Sequence, residues 1–395
     1  MKRWPTKRLG NLVNFLGGGT PRRDRADYWG GNIPWASVKD LQSQSLETTA
    51  ENITDEGLKN SATNLIPKGT VIIASRVGLG KVAINQKPVA INQDLKALTP
   101  RSNDLLPRYL LHFLFSKADY FERAGVGATV KGLTIADYQK LNIAVPPLSE
   151  QARIVSLLDE ADELRKLRAQ ADRCTAELFP ALFAEMFGKS NNSWRRLTFG
   201  ELVQDFHYGT SNKSTGEGRP TLRIPNVVEQ AVNLDDLKFV PVSDVDFERL
   251  RLIDGDLLFV RTNGNADYVG RCAVFDINTI KAAGYAGDEF IYASYLIRAR
   301  LQTEKVSPIF VQNFLTSFEG LSALRARSKT SAGQFNINTE GLGSIPIPVP
   351  PLPLQKEFAQ RVTEIRELEA GQAASRHRLE ELFQSLLHRA FNGNL

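Results

Sequence analysis

Residues 146–188, PPLSEQARIVSLLDEADELRKLRAQADRCTAELFPALFAEMFG, match residues 350–392, PPLPLQKEFAQRVTEIRELEAGQAASRHRLEELFQSLLHRAFN, without a gap at a constant offset of 204. Pro146/Pro350, Pro147/Pro351, Gln151/Gln355, Leu164/Leu368, Phe179/Phe383 and Leu182/Leu386 are among the identities. A segment present twice must satisfy its conformation in both copies. Leu157, Ala161, Leu164, Leu167, Ala171, Cys174, Leu178 and Leu182 recur at steps of three and four, which draws one apolar stripe along a helix. Ser149 is the expected N-cap, and the helix is expected to run to about Gly188. A helix of that length needs a partner, and the second copy supplies one. Pro180, where the second copy has Gln384, should kink or break the last turns.

The first copy contains Asp159-Glu160-Ala161-Asp162, letters that in an ATP-driven motor follow a nucleotide-binding strand. They work only beside a phosphate loop of the form G-x-x-x-x-G-K-[ST]. Gly17-Gly18-Gly19-Thr20, Val77-Gly78-Leu79-Gly80-Lys81 and Gly125-Val126-Gly127 all lack that spacing. In the second copy Asp159 and Asp162 become Thr363 and Arg366. The repeat keeps the helix and drops the carboxylates, so the acids read as a solvated helix face.

The duplication continues outside the helices. Trp4, Gly10, Leu12, Val13, Gly19 and Thr20 line up with Trp194, Gly200, Leu202, Val203, Gly209 and Thr210 at an offset of 190. Ile33-Pro34 echoes Ile224-Pro225, Gly69 echoes Gly255, and Gly80-Lys81-Val82-Ala83-Ile84 echoes Gly270-Arg271-Cys272-Ala273-Val274. The offset drifts between blocks, which places insertions in connecting loops, where recognition usually resides. The period is too long for a solenoid. One unit, a globular domain followed by a long helix, is used twice.

With 395 residues and 42% apolar content the chain can bury two cores. No apolar run reaches membrane-spanning length and MKRWPTKR precedes no signal-peptide core, so a cytoplasmic location and no membrane partner are expected. Cys174 and Cys272 stand alone, and His112, His207, His377 and His388 are scattered, so no metal and no cofactor are expected.

The net charge of +5 permits a polyanionic partner. Placement of the basic residues says more: they punctuate glycine-rich, turn-like segments in both halves. The candidate DNA contacts are Thr20, Arg22, Arg23, Lys39, Arg76, Lys81 and Lys131 in the first half. In the second they are Lys213, Arg219, Arg223, Arg261, Asn263, Arg271, Lys329 and Gln334. Lys and Arg suit phosphates, and Arg, Asn and Gln suit base edges in the major groove. Arg25, Arg325 and Arg327 belong to the same basic segments.

GGTPRRDRADYWGGNIPW, followed by ASRVGLGKVAI, INQDL and the PP-L-x-x-Q helix start, resembles the specificity subunit of type I restriction-modification systems across both halves. The resemblance implies an α+β chain in which two duplicated mixed α/β target recognition domains are separated by two long helices packed as an antiparallel coiled coil. The domains expected are 1–145 and 189–347, and the spacer helices 146–188 and 348–395. It implies as partners double-stranded DNA with a bipartite target, two methyltransferase subunits and, through the complex, restriction subunits. The second half departs from the pattern: Ile224-Pro225-Asn226 stands where the first half has Ile33-Pro34-Trp35, and nothing matches Tyr28-Trp29-Gly30-Gly31.

An adenine methyltransferase would carry an N-P-P-[YF]-like tetrad, and both Pro-Pro pairs precede Leu instead. Asp94-Leu95-Lys96 and Asp236-Leu237-Lys238 have the D-x-K form of a nuclease, yet neither is repeated in the other half. The chain is therefore expected to be no enzyme. An assembly scaffold without DNA contact is the alternative, distinguished by salt-dependent DNA affinity.

Overall fold

The structure is a computed structural model, and it describes residues 4–126, 132–188, 194–228, 230–331 and 333–392. Packing divides the chain into two compact units, Met1–Gln170 with Ala373–Leu395, and Ala171–Gln372. Each unit thus holds one globular part and a stretch of both long helical segments.

In the first unit the strands Val13–Gly17, Leu95–Pro100, Val71–Ala74, Val82–Asn85 and Ser45–Leu46 form a sheet in that order. In the second, Val203–Tyr208, Leu296–Leu301, Leu257–Val260 and Cys272–Val274 form a sheet with the same order of equivalent strands. The middle strands are apolar runs buried on both faces, Val71–Ala74 in one unit and Leu257–Val260 in the other. Gly69 and Gly255 enter them with φ of 82° and 85°, a left-handed conformation that suits glycine. Beside these sheets the units diverge. The first carries a second sheet ordered Glu51–Ile53, Trp29–Ala36, Val89–Ile91, Asn64–Ile66; the second has Lys238–Val240, Arg219–Leu222 and Ile291–Tyr292.

The long helical segments are Leu148–Ala176 and Leu352–Phe391. The first helix stops at Ala176, and a short helix Leu178–Phe183 and a wider π turn Ala184–Gly188 follow. Pro180 explains the stop: its ring clashes with the carbonyl four residues earlier, which belongs to Ala176. The expected N-cap at Ser149 is not one. The helix begins at Leu148, and the Pro147 carbonyl receives the N–H groups of Glu150 and Gln151.

Within the first unit Ile154, Leu158 and Ala161 share a core with Phe383, Leu387, Ala390 and the helix Pro107–Phe115, while Arg165 is bonded to Glu380. Within the second, Thr175 receives a bond from Gln372, and Phe183 and Phe187 contact Phe358 at 5.7 and 5.2 Å. In each unit numbers rise along one helix as they fall along the other, so the two segments run antiparallel there.

Two buried glutamines tie these helices to the globular parts. Gln151 donates to the carbonyls of Asp104 (2.7 Å) and Pro146 (2.9 Å) and accepts from the Leu106 N–H at 2.9 Å. Gln355 repeats the arrangement: it donates to Pro350 and, at 3.5 Å, to Lys305, and accepts from the Ser307 N–H at 2.8 Å. Both are 0% exposed. This is the physical content of the PP-L-x-x-Q motif.

Asp159, the first letter of the helicase-like tetrapeptide, is a structural acid. Its carboxylate receives Arg108 in a fork, at 2.9 Å from Nε, and the buried His112 ring nitrogen at 2.7 Å. In the second unit the aligned positions are the neutral residues Thr363, Ile309 and Asn313; there the Thr363 hydroxyl bonds the Ala359 carbonyl of its own helix, and the Asn313 amide bonds the Ile309 carbonyl. Asp162 instead pairs with Arg165 and Lys166 along its own helix. Neither acid has a phosphate loop to serve.

Replacing Gln151 or Gln355 by Ala strands buried backbone groups and should cost about 1–3 kcal/mol in its own unit. Urea unfolding reads this as a lower midpoint; an unchanged midpoint in both variants would remove the clamp from the account. Burial pushes the Asp159 carboxyl up, but hydrogen bonds from His112 and Arg108 outweigh it and hold the group below its ordinary 3.8. A carboxyl with a depressed folded value contributes stability that is fully present above the unfolded value and is lost as pH falls through the folded one. Asp159→Asn should therefore lower stability at neutral pH while flattening the loss below about pH 4. Chemical denaturation between pH 7 and pH 2 checks both limbs.

Candidate nucleic-acid interface

The loops at one edge of each main sheet are built on a close backbone approach. A Cβ at Gly18 would lie 1.9 Å from the Ile91 carbonyl oxygen, and one at Gly209 would lie 2.2 Å from that of Tyr292. Gly19 and Thr210 then donate their N–H groups to those same carbonyls, at 3.0 and 2.9 Å. Gly18 therefore corresponds to Gly209, and Gly19 to Thr210. The expected pairing of Gly19-Thr20 with Gly209-Thr210 is shifted by one residue. The cause is a β-bulge between Val203 and Asp205, which adds a residue that the strand Val13–Gly17 lacks. Thr20, whose hydroxyl bonds to Gln93, thus has Ser211 as its counterpart.

Backbone bonds also match the basic positions. The Ala74 N–H donates to the Lys81 carbonyl at 3.0 Å and the Val260 N–H to the Arg271 carbonyl at 2.8 Å, so Lys81 and Arg271 are equivalent. The carbonyls of Ser75 and Arg261 accept from Leu133 and Ile337, so Arg261 matches Ser75 and Arg76 matches Thr262. Arg76 and Arg261, candidate cations of the corresponding turns in the two halves, are therefore one position out of step.

Many of the candidate cations are held by the protein itself. Arg22 pairs with Asp24 at 2.6 Å and Arg25 with Asp27 at 2.7 Å. Arg23 binds Glu51 and lies 3.8 Å over the Trp29 ring. Hydrogen bonds and charge from these arginines hold the Asp24, Asp27 and Glu51 carboxyls below their usual range. Arg76 reaches Asp94 at 3.5 Å, and Arg223 bonds Asp236. Arg219 stacks on Phe247 at 3.9 Å, Arg261 on Tyr208 at 4.8 Å and Arg271 on Tyr268 at 3.8 Å. Exposed ion pairs of this kind are weak, and stacking leaves the edge of a guanidinium fork open. Lys39 and Lys213 are exposed. Lys131 lies outside the described residues.

Two clefts gather the remaining positions. In the first unit Lys81 lines one of about 460 Å³ with Leu79, Phe115, Asp162, Arg165 and Lys166, beside the long helix. In the second, Arg223 lines one of about 320 Å³ with Thr210, Asn212, Ser294 and Tyr295. Asn263, Lys329 and Gln334 meet on a three-stranded ribbon, Thr262–Asn263, Gln334–Asn336 and Lys329–Ser331. Arg325 and Arg327 do not join it: the first pairs with Asp267 and the second bonds Ser344 and the Ala323 carbonyl.

Sequence reasoning overlooked the rings. Tyr208, Tyr268 and Tyr295 are exposed large aromatics, and the first two carry Arg261 and Arg271. Tyr208 directly precedes Gly209, and Tyr268 precedes Gly270-Arg271 by two residues, a signal that charge alone does not carry. The D-x-K triplets hold no catalytic geometry. Lys96 donates to the carbonyls of Gln93 and Leu95, and burial lowers its pKa, while Lys238 and Arg223 together neutralise Asp236. Among the described residues no three His, Cys, Asp or Glu side chains cluster as a metal site, and no helix is long and apolar enough to cross a membrane.

Residues 1–172 match the family described as Type I restriction modification DNA specificity domain. The type I restriction enzyme EcoKI specificity subunit of Escherichia coli (strain K12) is 26% identical over 433 residues, covering 99% of this chain and 89% of that one. Among solved structures, a type I restriction-modification system S subunit from M. genitalium has a TM-score of 0.59 at 16% identity, covering 98% of this chain and 96% of that one. A chain from a structure concerned with complex assembly and conformational transition of the type I R-M system has a TM-score of 0.64 at 18% identity, covering 100% and 99%. The fold is shared along the whole length.

Gly18→Ala and Gly209→Ala should each force the loop off its carbonyl and destabilise the unit by about 1–3 kcal/mol. Thermal unfolding measures this, and a wild-type transition in both variants would mean the close approach is absent.

Proposed function

We infer, for a chain whose first 172 residues belong to the type I restriction modification DNA specificity domain family and whose full length resembles specificity subunits, that it reads a bipartite DNA target. The observation that carries this reading is the repetition, in both units, of one loop scaffold with a cation at the equivalent positions Lys81 and Arg271. Each globular part, 1–145 and 189–347, contacts one half-site. The helical segments 146–188 and 348–395 pair along their length as an antiparallel coiled coil and set the distance between half-sites. Each reader adds modest specificity, and the second binding event is effectively intramolecular.

The chain performs no chemistry of its own. It recognises the site on behalf of two methyltransferase subunits, which dock on its repeated surfaces, and restriction subunits join through them. The candidate contacts divide by chemistry. Lys39, Lys81 and Lys213 suit phosphates; the stacked Arg23, Arg219, Arg261 and Arg271, whose guanidinium planes are held by rings, suit base edges or phosphates.

The experiment is selection of bound fragments from DNA with random half-sites and random gaps. Pro180 ends the first long helix at Ala176, so an insertion that lengthens the ruler belongs in the unbroken helix before it.

 Four residues added after Gln170, with four matching residues added after Gly371, lengthen both helices by about 6 Å. Since B-DNA advances about 3.4 Å per base pair, the preferred gap should grow by roughly two base pairs while both half-sites stay the same. Binding should also weaken steeply with salt, as phosphate contacts release counterions. An unchanged gap would show that the helices do not set the distance, and DNA affinity insensitive to salt would favour an assembly scaffold.

A further inference from the structure

The ribbon in the second unit has two chemically different faces. Its register sets Lys329 opposite Asn336, Thr330 opposite Phe335, Thr262 opposite Asn336 and Asn263 opposite Phe335. Because side chains alternate along a strand, Thr262, Lys329, Gln334 and Asn336 share one face, and Asn263, Thr330 and Phe335 share the other. Phe335 packs against the core of the unit. The first face is therefore turned away from the core, and among its described side chains it carries one ammonium, two amides, a hydroxyl and no carboxylate.

Gln334 is the best placed of these side chains. It is exposed, and it follows Gly333, whose φ of 76° supplies the left-handed residue that a tight hairpin return needs. The Thr262 hydroxyl donates to Gln334 Oε1 at 3.1 Å, and Asn336 Nδ2 donates to the Gln334 carbonyl at 3.3 Å. The amide is thus oriented from one side. Its oxygen keeps a second lone pair, and its nitrogen has no partner among the described residues.

Resting on the bipartite-reading function above, we propose that this ribbon enters the major groove of the second half-site and that Gln334 reads an adenine there. The hairpin of Lys329–Ser331 with Gln334–Asn336 is a two-stranded element of the kind that fits that groove, and a carboxamide matches the adjacent N7 acceptor and N6 donor of adenine in a bidentate pair. A face built only for the phosphate backbone would be rich in Lys and Arg, whereas this one has a single cation in four side chains. Lys329 supplies a phosphate contact at the ribbon edge, and Thr262 is a positioning residue that fixes the amide plane.

The test uses the full-length chain and selection from random-sequence DNA, with Gln334→Ala, Gln334→Arg and Thr262→Val compared with the parent. Gln334→Ala should lose discrimination at one adenine of one half-site by about 5- to 150-fold, leaving the other half-site intact. Gln334→Arg should replace that adenine by guanine, a gain that misfolding cannot produce. Thr262→Val should weaken the same position without changing the preferred base. Unchanged preferences in the Gln334 variants, or a uniform loss at every position, would overturn the ribbon while leaving the bipartite reading in place. A parent that enriches no sequence would overturn both.

Discussion

In both units a buried glutamine one turn into the long helix ties it to its globular part. Gln151 and Gln355 each donate to one carbonyl and accept from one N–H of the loop that precedes a domain helix. An amide can do this where a carboxylate or an ammonium cannot, because it offers both donors and an acceptor without a charge to desolvate. Of the paired prolines ahead of it, the second accepts the first N–H groups of the helix and the first accepts from the glutamine. The start of each long helix is thereby fixed to the backbone of its own globular part.

The same junction shows how a duplicated scaffold diverges. In the first unit Asp159, Arg108 and His112 make it ionic, whereas the second has Thr363, Ile309 and Asn313 at those positions. Removing one member of such a cluster is costly, while exchanging all of them for neutral groups need not be. The second copy has neutral residues at all three aligned positions, so no charge is stranded where the acidic letters are absent.

The helical repeat and its interruption were legible in the sequence, because periodicity and Pro180 act locally: the break falls at Ala176, where the ring geometry puts it. The order of strands in the main sheets was implicit in the matched blocks around Gly69/Gly255 and Gly80/Gly270. The residue-level matches in the loops were not legible. A single bulged residue in the strand Val203–Tyr208 leaves sequence identity intact at Gly209-Thr210 yet moves the structural equivalence by one. Likewise the role of Asp159 depends on partners about fifty positions away, which no local pattern records. The ribbon was visible only as scattered polar residues, since Thr262 and Gln334 are far apart in the chain and meet through strand pairing.

Ion pairing of the candidate arginines with neighbouring acids bears on affinity in a definite direction. An exposed pair contributes roughly 0–1 kcal/mol, because water screens it and two long side chains must be ordered to make it. A phosphate contact on a duplex also releases condensed counterions, a gain that the internal carboxylate does not offer. Arg22 and Arg25 can therefore exchange Asp24 and Asp27 for phosphates at small cost, and the acids meanwhile weaken non-specific attraction. Arg23, Arg219, Arg261 and Arg271 differ, because a ring fixes the guanidinium plane before any DNA arrives. Less rotamer entropy is then lost per hydrogen bond formed. The loops combine cations in exposed ion pairs with cations held by rings, and on the proposed reading the first would serve attraction to any duplex and the second discrimination among duplexes.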